Sequence, residues 1–456
     1  MKRLFSYNIL SGLCILLLFS CNRYSPTWEE YEDRTKYDPL QSVLGIPDIR
    51  GTEIDNTALL RSVTDSYGMV SDTGKDQSAL LQNAIDDMAK HGGGNLLIPA
   101  GTYCFAEVYM KSGVHILVHK DAVLKPYWGE KTKNVIMLYF TSKDDSENSF
   151  IHDCSISGLN GEQYTVDYSH FTPDPGDDFP PTMPVRFALC RMVKNFKIAD
   201  AHILDHYTKY CGIIFVGADA EDVHSWHISR PTNGLINNCT IENASQGYGL
   251  CQLHAARNIL FRDLKAKGGV TLRLESHAGN NVGVYDIYGY NIHNEYGRAA
   301  VLFSPHTSHN GKVLVENVTA LSSASAVDIR SGFIDKDSQN NPYAEIGTYS
   351  SDSKVHNVAC KYGKEAQIEA KDVWIYESDM YQYILRIQKD EAYSQVEGPS
   401  FAPVLDSTGD YYDVSISELK SEGFPYHENK ILYKEDIKRN PKDTWKIAEG
   451  IPAFQK

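Results

Sequence analysis

The sequence predicts an all-β fold, a parallel β-helix, on three observations. Short strands recur around a polar corner, the corners carry Asn or Asp, and few long helical patterns interrupt the series. The unit is plain in Asn195–Ile203, Asn233–Ile241 and Asn258–Leu264, and again in Val284–Ile287 and Val313–Val318. Successive copies start a few tens of residues apart, which is the spacing of solenoid coils. A sandwich would alternate strands without this corner, and an α/β barrel would need a helix after each strand. The solenoid is expected over residues 66–400 as one domain.

The elements follow in order. Lys2 and Arg3 precede an apolar run, Ile9 to Leu18, too short to span a bilayer. Leu18-Phe19-Ser20-Cys21 resembles a bacterial lipobox, so residues 1–20 are expected to be a signal peptide and Cys21 to carry lipid. The protein is then an exported lipoprotein of the outer membrane, cell surface or periplasm. Residues 21–65, with the acidic stretch Glu29-Glu30-Tyr31-Glu32-Asp33, are expected to be a linker. Leu80, Leu81, Ala84, Ile85 and Met88 have helical spacing, which predicts a helix over Asp76–Lys90 with Asp76 as N-cap. It ends at Gly92-Gly93-Gly94, and Leu96–Tyr103 reads as strand and turn. This helix, glycine turn and Ile98-Pro99-Ala100-Gly101-Thr102-Tyr103 segment is similar to the start of pectate-lyase-like right-handed β-helix proteins. There the helix covers the open end of the solenoid. Residues 164–184 and 331–350 are expected to be long loops that build the binding face. Val373-Trp374-Ile375 reads as a further strand, and residues 401–456 as a C-terminal cap.

The formal charge is −15, which argues against nucleic acid as a partner. An anionic substrate would need locally clustered Arg and Lys against that field. Cys104, Cys154, Cys190, Cys211, Cys239, Cys251 and Cys360 are odd in number and irregularly spaced, so they form no disulfide framework. Their apolar neighbours predict buried packing.

The chemistry concentrates in Gly268-Gly269-Val270-Thr271-Leu272-Arg273-Leu274-Glu275-Ser276-His277. On an extended strand alternate side chains face opposite ways. Leu272 and Leu274 then point inward, while Thr271, Arg273, Glu275 and His277 share the outer face. Alone, this pattern also fits a solvated strand face. Equivalent positions of neighbouring coils lie about 4.8 Å apart, however, so outward residues stack. Gln252 and His254 come one coil earlier, His306 one coil later, and Asp328 and Arg330 after that. Together they predict one patch holding acid, base, amide and guanidinium groups.

The string Gly268-Gly269-Val270-Thr271-Leu272-Arg273-Leu274-Glu275, with Gln252 and Ser304-Pro305-His306, resembles the iota-carrageenases. The likeness extends loosely from near Asp76 to Phe333. It implies a glycoside hydrolase cutting the β-1,4 linkages of a sulfated galactan with inversion. By that resemblance Glu275 is the general acid, Gln252 helps place an ion or the water, and His306 is an active-site histidine. No cofactor is required, although a structural or active-site ion could bind, and the protein is expected to act as a monomer. The family's base is an Asp two residues after the acid, where this chain has His277. Three readings stay open: neutral His277 itself activates the water, another carboxylate such as Asp328 does so, or the protein is a weakened or altered member of the family. Positions i and i+2 lie about 6.6–6.8 Å apart, within the roughly 6.5–9.5 Å that inverting enzymes leave for water. Arg273 and Arg330 are the candidates for pairing sulfate. To donate a proton near neutral pH, Glu275 is expected to have its pKa raised, by partial burial or by substrate closing over it, with Arg273 turned toward substrate. Tyr285, Tyr288, Tyr290 and Tyr296 offer rings for sugar stacking or simply stack in the solenoid.

Three other readings compete. A polygalacturonase would show a Gly-His-Gly string, which is absent; Asp177-Asp178 lies in a Pro-rich loop, and Arg386-Ile387-Gln388-Lys389 matches only in part. A pectate lyase would need a calcium-binding Asp cluster. A lipoprotein that binds glycan without cutting it would keep the surface and lose the chemistry.

Overall fold

The computed structural model describes residues 40–438, except 56, 73, 130–133, 144–149, 172–183, 218–229, 277–282, 341, 343 and 387–394. Cys21, His277 and the Asp177-Asp178 pair lie outside the described residues. Within them, 24 strands join in one continuous parallel sheet that coils as a β-helix. The ladder that matters for function runs through Val108–Tyr109, Val135–Phe140, Val185–Cys190 and Ile213–Phe215. It continues through the ends of Thr240–Leu253 and Ala256–Glu275, then Ala299–Ser304, Ser325–Arg330 and Val404–Ser407.

The corners explain the Asn and Asp repeat. Asn195, Asn233, Asn258 and Asp286 on one edge, and Asp200, Asn238, Asp263, Asn291, Asn317 and Asn357 on another, all have φ between 50° and 64°. Asn and Asp tolerate this left-handed region because their short polar side chains bond locally. The amides also bond along the stack. Asn258 Nδ2 donates to Asn233 Oδ1 at 2.7 Å, Asn317 to Asn291 at 3.0 Å and Asn357 to Asn317 at 2.7 Å. Inside, Phe140, Phe196, Phe215 and Phe261 follow one another at centroid distances of 6.3, 6.4 and 5.3 Å, all fully buried. The seven cysteines from Cys104 to Cys360 are buried and unpaired.

The cap helix spans Ser78–Lys90 and buries Leu81, Ala84, Ile85 and Met88 against the first coil. Its N-cap residue is Gln77 rather than Asp76. Asp76 acts one position earlier, accepting the Ser78 N–H at 2.9 Å.

Three expectations are corrected. The linker does not extend to residue 65. From Leu40 the chain is a strap along the ladder that contains Leu235, Leu260, Tyr288 and Leu314, where Leu40, Leu44, Ile46 and Ile49 pack. The buried Glu316 carboxylate holds the strap by accepting from Ser42 Oγ at 2.7 Å and from the Val43 and Leu44 N–H groups at 3.2 Å. At Gly51, with φ of 65°, a Cβ would lie 2.2 Å from the Phe196 carbonyl oxygen, so only glycine passes there.

Second, Val373-Trp374-Ile375 is part of a 3-10 helix, Ala370–Ile375. It belongs to an insertion with its own antiparallel sheet of Ala366–Glu369, Leu385–Arg386 and Gln395–Gly398. Ile368, Val373, Tyr376, Met380, Val396 and Phe401 form its core. A short apolar run does not separate strand from helix by periodicity. Third, the coil does not stop at residue 400: Val404–Ser407, Ser415–Glu422 and Ile431–Tyr433 continue the parallel pairing.

Candidate active site

The strand Ala256–Glu275 bends at Gly268-Gly269, whose φ values are 85° and 57°. A Cβ on Gly268 would lie 2.5 Å from the Ala244 carbonyl oxygen. The glycines also let the insertion approach. Gln367 accepts the Gly269 N–H at 2.7 Å and donates to the Ala244 carbonyl at 3.1 Å. Beyond the bend, Leu272 and Leu274 are fully buried in the core, as alternation requires. Thr271 is also fully buried, its hydroxyl donating to the His293 carbonyl at 2.6 Å.

Register brings the predicted residues together in two rows. Gln252 pairs with Arg273, Arg273 with Leu302, and Leu302 with Asp328. Glu275 pairs with Ser304 in the adjacent row. Leu302 separates the residues around Glu275 from Asp328.

Glu275 is gripped on all sides. Its Oε2 accepts from Gln252 Nε2 at 2.5 Å and its Oε1 from Arg273 Nη2 at 2.6 Å. His306 Nε2 lies 3.3 Å from Oε1. His306 Nδ1 in turn meets Asp335 Oδ1 at 2.9 Å, and Asp335 Oδ2 accepts from Thr307 Oγ1 at 3.0 Å. His306 adopts φ of 47°, and its backbone carbonyl accepts from Phe333 and Gly347. The Phe333 ring lies 4.4 Å from the imidazole and is 48% exposed, the one large ring at this site open to a sugar among the described residues. Asp335 and Phe333 come from the 331–350 loop. That loop was expected to build the binding face, but no periodic signal singled out Asp335.

Partial burial does not suffice to raise the Glu275 pKa. Burial alone would lift the Glu275 carboxyl, but Arg273, His306 and His254 hold it well below the usual carboxylate range. For His306, burial works downward, yet Glu275 and Asp335 raise it above the ordinary imidazole value. Charge on the imidazole and charge on Glu275 thus stabilise each other. Arg273 is not turned away from Glu275, although its Nε and Nη1 have no hydrogen-bond partner among the described residues.

Asp328 and Arg330 have other work. Asp328 is 1% exposed and lies between Arg298 Nε at 3.1 Å and Arg330 Nε at 2.6 Å. Arg330 also forks onto Asp372 of the insertion, Nη1 to Oδ1 at 3.1 Å and Nη2 to Oδ2 at 2.8 Å. Arg298 reaches Glu369, which also bonds Lys371. This lattice fastens the insertion to the coil. It removes Asp328 as a candidate base and commits the Arg330 guanidinium to protein carboxylates. Arg298, Glu369 and Asp372 carried no motif that would reveal them. Tyr288 and Tyr290 adjoin the strap on another ladder, and Tyr285 lies 4.7 Å from the Arg230 guanidinium on the same strand. Among the described residues no group of three or more His, Cys, Asp and Glu side chains could hold a metal ion.

No protein-family model matches the chain. An iota-carrageenase of Alteromonas macleodii is 29% identical over 441 residues, spanning 81% of this chain and 85% of that protein. An iota-carrageenase of Zobellia galactanivorans is 35% identical over 285 residues, 60% of this chain and 53% of that protein. A solved 1,3-alpha-1,4-beta-D-galactose-4-sulfate-3,6-anhydro-D-galactose-2-sulfate 4 galactohydrolase matches with TM-score 0.76 at 27% identity, over 92% of this chain and 99% of that one. Fold, carboxylate site and relatives together define a glycoside hydrolase built on a parallel β-helix. Within that class the chain is most plainly similar to the iota-carrageenases, in sequence and in fold.

The Arg330 lattice yields a test. Breaking a buried ion pair from one side costs about 3–5 kcal/mol, because the abandoned charge stays buried. Arg330→Ala should therefore lower the thermal midpoint markedly, while the fraction that folds keeps its affinity for oligosaccharide. A raised Kd with an unchanged midpoint would return Arg330 to the substrate.

Proposed function

We propose that the protein degrades carrageenan, hydrolysing the β-1,4 linkages of a sulfated galactan with inversion, and that Glu275 is the general acid. The supporting observation is the convergence of Gln252, Arg273 and His306 on one carboxylate at the centre of a coil face. The sulfated galactose units for which the solved galactohydrolase is named suit the partly unpartnered guanidinium beside it.

The resting charges suggest how the acid is armed. A substrate sulfate draws Arg273 toward itself and weakens its hold on Glu275. Closure of the sugar over the site leaves burial as the dominant influence, and burial favours the neutral carboxyl. The proton then passes from His306 Nε2 to Glu275 Oε1, a short transfer at the observed separation. Glu275 gives it to the leaving glycosidic oxygen as the C–O bond breaks. Water attacks the anomeric carbon from the opposite face and loses its proton to a base. We assign that base to His277, two residues after the acid; a neutral imidazole is competent near its unperturbed pKa of about 6.5. Asp335 keeps His306 charged between turnovers.

Glu275→Gln keeps the shape and removes the acid, so turnover should fall by about 10²–10⁴-fold while oligosaccharide binding survives. New reducing ends from iota-carrageenan, compared with kappa- and lambda-carrageenan, agar and polygalacturonate, give the readout. Near-normal turnover would remove Glu275 from the chemistry. His277→Ala should cause a comparable loss, and a mild one would move the base elsewhere.

Asp335→Asn removes one of two charges that raise the His306 pKa. The imidazolium is needed at low pH and lost as pH rises through its folded value. The alkaline limb of kcat/KM should therefore shift to lower pH, toward about 6.5. The acid limb should stay in place. An alkaline limb unmoved by this substitution would separate Asp335 from the proton path.

Export is proposed on the lipobox ending at Cys21. Cys21→Ala should release the protein from the membrane fraction; unchanged association would count against a lipid anchor.

A further inference from the structure

Arg186 stands out among the cations of the coil face. It lies on Val185–Cys190, three strand pairings before the strand of Glu275 along the same ladder. At about 4.8 Å per step the separation is roughly 14 Å. Its guanidinium carbon lies 3.7 Å from the centre of the Tyr210 ring. Tyr210 meets Tyr248 edge-on at 5.6 Å, and the Arg273 guanidinium lies 5.8 Å from the Tyr248 ring. An alternation of guanidinium and phenol thus leads from Arg186 to the catalytic carboxylate. Lys209 adds a second cation 5.6 Å from the Tyr210 ring.

Arg186 is largely buried, and among the described residues it has no ion pair with a carboxylate; its Nε is buried without a hydrogen-bond partner. Burial pushes its pKa down, and the groups that oppose this are the Cys211 thiol and the Tyr210, Tyr248 and Tyr139 phenols. A buried charge without a counter-charge is costly. Stacking on tyrosine recovers part of that cost. Arg298 and Arg330, on the other side of Glu275, are neutralised by Asp328, Glu369 and Asp372. The contrast lies between cations committed to structural carboxylates and one that meets no carboxylate among the described residues.

We propose that Arg186, seated on Tyr210, is a sulfate-ester subsite of the substrate cleft, distinct from Arg273 and three coils to its N-terminal side. This rests on the carrageenan reading. The planar guanidinium suits two oxygens of one sulfate, and the tyrosine faces suit the sugar rings beside it.

The test uses the Glu275→Gln protein, which should bind without cutting, and compares it with the same protein carrying Arg186→Ala. Titration calorimetry with iota-carrageenan oligosaccharides should show Kd weakened by about 10- to 100-fold, the worth of a hydrogen-bonded charge. A desulfated galactan should bind equally to both. In the otherwise native enzyme, Arg186→Ala should raise KM and leave kcat within about twofold. Its thermal midpoint should hold or rise, since an uncompensated buried charge is gone; a purely structural arginine would lower it. Arg186→Lys keeps charge without the fork and should lie between, which covers the case in which the alanine variant does not fold.

An unchanged Kd, or equal losses on sulfated and desulfated chains, would overturn the subsite. So would the same Arg186 dependence with polygalacturonate, or sodium sulfate alone bound as tightly as the oligosaccharide. If the Glu275→Gln protein with Arg186 intact binds no sulfated galactan, the functional reading falls and takes the subsite with it.

Discussion

In-register parallel pairing is the constraint on which everything else depends. Because each coil repeats the previous one at one strand spacing, a residue's place on the surface is set by its row and its coil. Gln252 and Arg273 meet because they share a row on adjacent coils. The constraint survives only if every turn of the chain has the same radius, and the left-handed Asn and Asp corners enforce that. Their amides also bond from coil to coil, so corner geometry and axial cohesion come from the same side chains.

The site departs from this regularity where its chemistry requires it. Gly268-Gly269 permits a bend no other residue pair would accept, and Gln367 uses the opening to fasten the insertion against the strand that carries Arg273 and Glu275. The rows supply the carboxylate, its amide donor and its guanidinium. The proton carrier comes from off the rows, since His306 leaves the strand with a positive φ and reaches back to Glu275. A regular coil can present charges at fixed spacing, but a chain of proton donors needs approach from another direction.

What could be read in the sequence follows the same division. Glu275, Arg273 and Gln252 are legible because period-two alternation and coil spacing are properties of the chain itself. Asp335 is not, because its position depends on how the 331–350 loop folds over His306. Asp328 shares a row with Arg273 and Leu302, but contact with Arg298 and with Asp372 and Glu369 decides what Asp328 and Arg330 do, and those acids come from an insertion with no repeat. Val373–Ile375 misled because three apolar residues fit a strand and a 3-10 helix equally. Arg186 shares its outward phase with many solvated arginines, and its seat on the Tyr210 ring, with no carboxylate beside it among the described residues, is a matter of folding in space.

The strap has a mechanical meaning. A tether pulling on the chain ahead of Leu40 would load first the contacts it makes beside Glu316. The strap lies flat along a ladder other than the catalytic one, so tension would load the Ser42, Val43 and Leu44 contacts in shear before reaching a strand. A polymer dragging on the cleft would then strain a seam that contributes no group to the reaction, and the spacing around Glu275 would be insulated from the tether.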